Sequence, residues 1–177
     1  MRNGIYCLES LWTVGEIDED RQSVYPLIRL VAKLYGVKSV HFDFGTREEL
    51  LHRLQRGRKR GLKVLYLATH GSKGKIEIEN PFNTLTLDEL KSMIGRRFAG
   101  WSIHLGTCRT LDVSNEELAQ FKKDTGVKVL TGYRKDSYFN GDFYAMEIAL
   151  LTALVNGRKK LPKRYNALIK QTGLVIR

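Results

Sequence analysis

At 177 residues the chain can bury one sizeable core and is too short for two comfortable domains. Its 42% hydrophobic and 28% charged residues are those of an ordinary soluble globular protein, and no run nears the roughly 18 apolar residues that a membrane helix needs. Thirty Lys and Arg against nineteen Asp and Glu leave a net charge of +11, which favours acidic partners: nucleic acid, an anionic membrane surface or a negatively charged protein.

In chain order, Gly4 to Leu8 reads as a short strand, followed by a loop through Glu9, Trp12 and the acidic run Glu16 to Asp20. Ser23 can cap a helix with Pro26 in its first turn; that helix sets Leu27, Leu30, Val31 and Leu34 on one side and stops at Gly36. Val37 to Phe44 alternates apolar and polar residues as a strand does. Thr46 with Glu49 is a capping box opening a helix to about Gln55, and Gly57 and Gly61 bracket the basic turn behind it. Lys63 to Ala68 is a nearly continuous apolar run, the pattern of a central strand covered on both faces of a parallel sheet.

Ser72-Lys73-Gly74-Lys75 is a hairpin turn into Ile76 to Ile78, and Thr86 caps a helix over Leu87 to Ile94. Trp101 to Leu105 is a second buried strand, running into Gly106-Thr107-Cys108. Ser114 with Glu117 opens a helix ending near Gly126, and Val127 to Thr131 is the next strand. A long helix, about Gly141 to Val155, buries Phe143, Ile148, Leu150, Leu151 and Leu154; a basic helix from about Pro162 to Gln171 precedes the apolar Leu174-Val175-Ile176. Strands alternating with helices predict a three-layer α/β sandwich with a mainly parallel central sheet, in one domain over residues 1–177. In such sheets functional groups gather beyond the carboxyl ends of the strands.

The positive charge falls in two visible clusters, Arg53, Arg56, Arg58, Lys59, Arg60 and Lys63, and Arg158, Lys159, Lys160, Lys163 and Arg164. Both sit at helix ends or connectors, where cations suit a helix C-terminus. Neither interleaves exposed aromatics as single-strand binders do, so they read first as solvated structural charge, with nucleic acid unsupported by a motif. The N-terminal residues lack the apolar stretch of a signal peptide; with two cysteines, Cys7 and Cys108, and nothing else suggesting secretion, the expectation is a cytoplasmic chain with reduced thiols. No cofactor is expected: no His or Cys pair has zinc-ligand spacing, and no phosphate loop is present.

Two apolar strands end alike. Leu65-Tyr66-Leu67-Ala68-Thr69 leads to His70-Gly71, and Ile103-His104-Leu105-Gly106-Thr107 leads to Cys108. If these strands are parallel neighbours, about 4.8 Å apart, thiol and imidazole emerge at one edge. A thiolate is the reactive form of cysteine; an imidazole takes its proton and can return it to a leaving amine. The backbone N–H groups of Gly71 and Cys108 can form an oxyanion hole. Taken singly, the cysteine reads as a small buried hydrophobe and the histidine as a satisfied polar residue; their pairing at the functional edge is what points to chemistry. Cys7 and His104 read as structural residues within strands, His41 and His52 as ordinary strand and helix residues.

His70-Gly71 after one apolar strand and Cys108 after the next resemble the caspase-like superfamily of cysteine peptidases, which includes caspases, metacaspases, separase, gingipains and the bacterial CHAT peptidases. The similarity, over roughly Leu62 to Leu154, is greatest to the CHAT type, on Leu105-Gly106-Thr107-Cys108-Arg109-Thr110, on Val129-Leu130-Thr131-Gly132-Tyr133 with Asp136-Ser137, and on Phe143-Tyr144. The caspase signature itself is not matched: Gly106-Thr107 precede the cysteine and Thr110 follows Arg109, and the separation of 38 positions from His70 to Cys108 is shorter than the roughly 50 of caspases. The resemblance implies a cysteine endopeptidase with Cys108 as nucleophile and His70 as general acid/base, acting without a cofactor on a protein or peptide substrate, in a regulatory or defence role in bacteria and under a partner protein's control. Caspases place a substrate-binding arginine just after the first strand. Glu9 stands in that place here, and Asp136 lies at the same edge after the strand that follows Cys108, so the expectation is an acidic pocket selecting Arg or Lys. Thr69 is placed to orient His70, and Arg109 to contact substrate or solvent. Two other readings stay open: a catalytically silent caspase-like domain that binds a protein partner, and a basic nucleic-acid-binding α/β domain.

Overall fold

The computed structural model describes residues 2–10, 23–57, 60–78, 83–136 and 141–177. Trp12, the run Glu16 to Asp20, Arg58, Lys59 and Ser137 lie outside the described residues.

Six strands form the central sheet in the order β2-β1-β3-β7-β8-β9. These are β1 (Gly4–Ser10), β2 (Ser39–Phe44), β3 (Leu62–Ala68), β7 (Ser102–Gly106), β8 (Val129–Tyr133) and β9 (Leu174–Ile176). All neighbours pair in parallel except β9, which runs antiparallel to β8. The apolar run at 62–68 does sit in the middle of the sheet, buried on both faces except at Lys63. A second sheet of β4 (His70–Ser72), β5 (Lys75–Glu77) and β6 (Thr84–Thr86) hangs from the end of β3, its strands antiparallel. The expected hairpin at 72–75 is the turn between β4 and β5, while β6 carries no sequence signal beyond its own three residues.

Helices cover both faces. Helices α2 (Arg47–Arg56), α3 (Leu87–Ile94) and α4 (Asn115–Thr125) enclose a core with Leu65, Leu67, Ile103, Leu105 and Leu130. Helices α1 (Tyr25–Tyr35), α5 (Gly141–Val155) and α6 (Asn166–Thr172) enclose one with Ile5, Val64 and Val129. Alternate residues of each strand feed the two cores, as the period-2 pleat requires.

Local signals account for most boundaries. Thr46, Thr86 and Ser114 accept hydrogen bonds from the backbone N–H of Glu49, Glu89 and Glu117, three residues on, and the last two complete reciprocal capping boxes. Gly36 and Gly126 close α1 and α4 at φ 60° and 68°, the left-handed region that glycine enters without a steric cost.

Two expectations for α1 are corrected. The cap position is Val24, without a side-chain bond of its own; Ser23, one residue earlier, accepts from the Tyr25 N–H at 3.1 Å while donating its hydroxyl to Glu9 at 2.8 Å. The buried stripe is Leu27, Ile28, Val31 and Ala32, whereas Leu30 and Leu34 are 47% and 64% exposed. The apolar arc of this helix is wider than the face the sheet covers. In α5, Ile148 is only half-buried and Met146 takes its place in the core. The basic C-terminal helix begins as a 3₁₀ turn at Lys163–Tyr165 before α6. Among the described residues, no helix is long and apolar enough to cross a membrane.

Candidate active site

The registers of the central strands fix where His70 and Cys108 stand. β3 and β7 are adjacent and parallel, and their last paired residues are Ala68 and Gly106. His70 and Cys108 each lie two residues beyond that pair, at the same carboxyl edge. Gly71 brings the two segments into contact: a Cβ added there would lie 2.6 Å from the Cys108 carbonyl oxygen and 2.7 Å from Thr110 Oγ1, so only glycine lets the backbones approach this closely. His70 is exposed and Cys108 half-exposed.

The loop after β7 is tied down on several sides. Thr107 donates to Thr110 Oγ1 at 2.6 Å, and Thr110 donates to the Lys75 carbonyl at 2.8 Å, linking the cysteine loop to the β4–β5 hairpin. The Gly74 N–H donates to the Arg109 carbonyl, and the Arg109 N–H to the Lys135 carbonyl beyond β8. Arg109 adopts φ 52°, among the described residues the one non-glycine residue with positive φ. The backbone therefore turns sharply just after the cysteine, a strained conformation held by these anchors. The Arg109 side chain pairs with Asp112 at 3.2 Å. Thr69 donates to the carbonyl of His70 at 2.6 Å, restraining the backbone that carries the imidazole.

Beneath this edge lies a buried polar network whose acid, Glu147, the sequence pattern does not single out. In register across three strands, Tyr66, His104 and Thr131 form one row on the α5 side. Glu147 projects onto that row from α5, fully buried, accepting from Tyr66 at 2.7 Å and from Tyr133, with His104 Nε2 at 2.9 Å. His104 Nδ1 faces Thr131 Oγ1 at 2.8 Å. Burial opposes ionisation of Glu147, but the His104 charge and the bonds from His104, Tyr133 and Tyr66 outweigh it and hold the carboxyl below its ordinary value. Burial, then the Glu147 charge, pushes both tyrosines well above theirs. Gly106 makes room for this network, since a Cβ there would lie 2.6 Å from the Tyr66 hydroxyl. A lone carboxylate in the apolar run of α5 is the signal that could have revealed it.

The other expected site residues are placed apart from one another. Glu9 pairs with Ala68 in the ladder but is fully buried, accepting from Ser23 Oγ, the Val24 N–H and His41 Nε2, each at 2.7–2.8 Å. Its carboxylate joins β1 and β2 to the start of α1. Asp136 is exposed, past the end of β8. Glu9, His41 and Asp43 have potential ligand atoms within 4.8 Å of one another, a grouping that no sequence spacing advertises; the three hydrogen bonds to Glu9 already satisfy its oxygens. Cys7 is sealed in β1, and burial together with Glu9, Asp43 and Glu147 raises its thiol pKa well above the ordinary value, leaving it inert beside Cys108. Neither cysteine is in a disulfide.

A family model described as a family of unknown function (DUF6642) matches residues 2–161. No curated protein matches the sequence. The fold is similar to caspase-1 from Spodoptera frugiperda, with a TM-score of 0.54 at 12% identity over 99% of this chain and 86% of that one. It is likewise similar to a structure described as pro-sf-caspase-1, with a TM-score of 0.52 at 12% identity over 84% of this chain and 72% of that one. At such identity the likeness is one of fold.

Proposed function

The chain belongs to the family of unknown function DUF6642, and on the geometry of its carboxyl edge we propose that it is a cysteine endopeptidase. The observation that carries this reading is the equal placement of His70 and Cys108 beyond adjacent parallel strands, with Gly71 packed against the Cys108 carbonyl. The caspase-like fold supports it as a frame on which such an edge serves peptide hydrolysis.

In the proposed mechanism His70 takes the Cys108 thiol proton as Sγ attacks the scissile carbonyl carbon. The tetrahedral oxyanion accepts hydrogen bonds from the N–H groups of Gly71 and Cys108. A two-residue loop makes Ser72 and Lys75 the bonded pair of the β4–β5 ladder, so Gly71, one position back, turns its N–H away from β5, as the proposed oxyanion role requires. The C–N bond breaks as His70 gives the proton to the leaving amine. Water, deprotonated by His70, then cleaves the thioester and restores the thiol. No step calls for a cofactor. An Arg or Lys before the scissile bond is the proposed preference; with Glu9 committed to α1, the exposed Asp136 carries it.

A thiol-directed acylating probe tests the reading. Labelling is expected at Cys108 and not at Cys7, with loss of labelling in His70→Ala; equal labelling of that variant would refute the dyad. A peptide library read by mass spectrometry tests specificity, and a preference for acidic or apolar residues would reject the Asp136 pocket.

A further inference from the structure

The topology gathers positive charge that the sequence scatters. In this parallel sheet the described chain meets the amino edge at five places, residues 33–38, 53–57 with 60–63, 95–101, 122–128 and 156–164. Every crossing carries Lys or Arg, and together they hold a single carboxylate, Asp124. That carboxylate is already engaged by Lys91 at 3.3 Å. The described residues of the two basic clusters, Arg58 and Lys59 left aside, thus belong to one surface, joined there by Lys33 and Lys38, by Arg96 and Arg97, and by Lys122, Lys123 and Lys128.

Helix dipoles explain only part of this. Cations in the last turns of α1, α2 and α4 suit the negative helix ends. Arg60, Lys63, Lys128 and Lys160 stand beyond those turns, in connections or at strand starts, and are exposed. The cations also crowd one another: burial and then the charges of Lys159 and Arg177 lower the Lys122 pKa, a like-charge cost that helix capping does not require.

We infer that the amino edge is a docking surface for the sugar–phosphate backbone of double-stranded nucleic acid. Six strands at about 4.8 Å spacing give a face about 24 Å wide, most of a duplex turn of roughly 34 Å. Lys and Arg dominate its exposed side chains, donors matched to phosphate oxygens. Among the described residues the large exposed hydrophobics are Tyr25, Leu30, Leu34 and Tyr144. The two aromatic ones open α1 and α5 at the opposite edge, so this face lacks the exposed rings on which single strands stack. Leu34 alone is too little apolar surface to seat in a bilayer. Phosphate oxygens are common to both duplexes, so a face that meets mainly phosphates holds DNA and RNA alike.

Fluorescence anisotropy on the intact chain with a labelled 20-bp DNA duplex tests this. Expected are a micromolar Kd near 100 mM salt, independence of base sequence, and a log–log salt slope of about −4 or steeper. An RNA duplex is expected to bind within a few-fold of DNA. Neutralising one cation in each of four crossings, as Arg60→Gln, Arg97→Gln, Lys128→Gln and Lys160→Gln together, lowers affinity at least tenfold and flattens the slope by about 0.9 per lost phosphate contact. Probe labelling of Cys108 in that variant stays at the parental rate, which keeps this outcome separate from the peptidase reading. Unchanged binding in the quadruple variant, a preference for RNA above 100-fold, or tighter binding to phosphatidylserine vesicles than to duplex would each overturn the inference.

Discussion

At the carboxyl edge the two segments that carry the candidate dyad, Thr69-His70-Gly71 and Gly106-Thr107-Cys108, are small and mostly uncharged; besides Glu9 and Asp136 near strand ends, acids gather in the first turns of helices: Glu48 and Glu49, Asp88 and Glu89, Glu116 and Glu117. At the amino edge the order is reversed, with cations crowding the turns themselves. One helix preference, acids first and bases last, contributes to both patterns, and at the amino edge Arg60, Lys63, Lys128 and Lys160 add charge beyond the helix ends. In a parallel α/β fold every helix linking parallel strands points the same way, so a local preference becomes a polarity of the whole molecule. The carboxyl edge is left with room for close backbone approach, and the amino edge with a field.

The largest expected effect lies between the edges, in the network that underpins the carboxyl one. Glu147→Ala leaves His104, Tyr66 and Tyr133 without their shared acceptor in a buried setting and is expected to cost about 3–5 kcal/mol in urea unfolding. The pH dependence follows from the directions of the shifts. Glu147 has a lowered pKa, so its contribution is present above the unfolded carboxylate value of about 4.5 and is lost as pH falls through the folded one. Tyr66 and Tyr133 have raised values, so theirs is present below about pH 10 and is lost as pH rises through the folded ones. Glu147→Gln should therefore flatten the acid limb of a Tm–pH curve; an unaltered acid limb would assign acid unfolding to other carboxylates.

Gly71→Ala comes next. Its Cβ would meet two atoms of the cysteine loop at 2.6 and 2.7 Å, and the loop is anchored on both sides, so the segments must separate. Displacement on the order of 1 Å is expected to cost about 100-fold in kcat/KM. The same change at Gly61, where an added Cβ meets nothing within 4 Å but φ is 89°, should cost stability without a specific loss of cleavage. Equal losses of activity at both positions would dissolve the contrast between the edges.

Much of this contrast could be read from sequence, but unevenly. The capping residues Thr46, Thr86 and Ser114 were legible because cap and partner are three residues apart. The pairing of β3 with β7 followed from two similar apolar runs. Glu9 could not be read as a buried residue, because its partners lie 14 to 32 positions away and become neighbours only once β1, β2 and α1 meet. The amino-edge charge was hidden for the same reason. Lys33, Lys38 and Lys128 look like ordinary isolated cations until the connections are stacked on one rim.

Leu34 offers the mildest test. It sits in the last turn of α1, 64% exposed, and the buried stripe of that helix runs through Leu27, Ile28 and Val31 instead. Leu34→Lys therefore removes little packing and adds a cation to the edge that already repels itself. Stability by urea unfolding is expected to stay within about 0.5 kcal/mol of the parent, whereas Leu27→Ala, cutting into the core, should cost about 2–5 kcal/mol. If the amino edge meets phosphates, the added charge also steepens the salt slope of duplex binding by up to about 0.9. A stability loss above 1 kcal/mol would instead mark Leu34 as a packed residue, and the surface around it as a place where apolar contact, rather than charge, decides what binds.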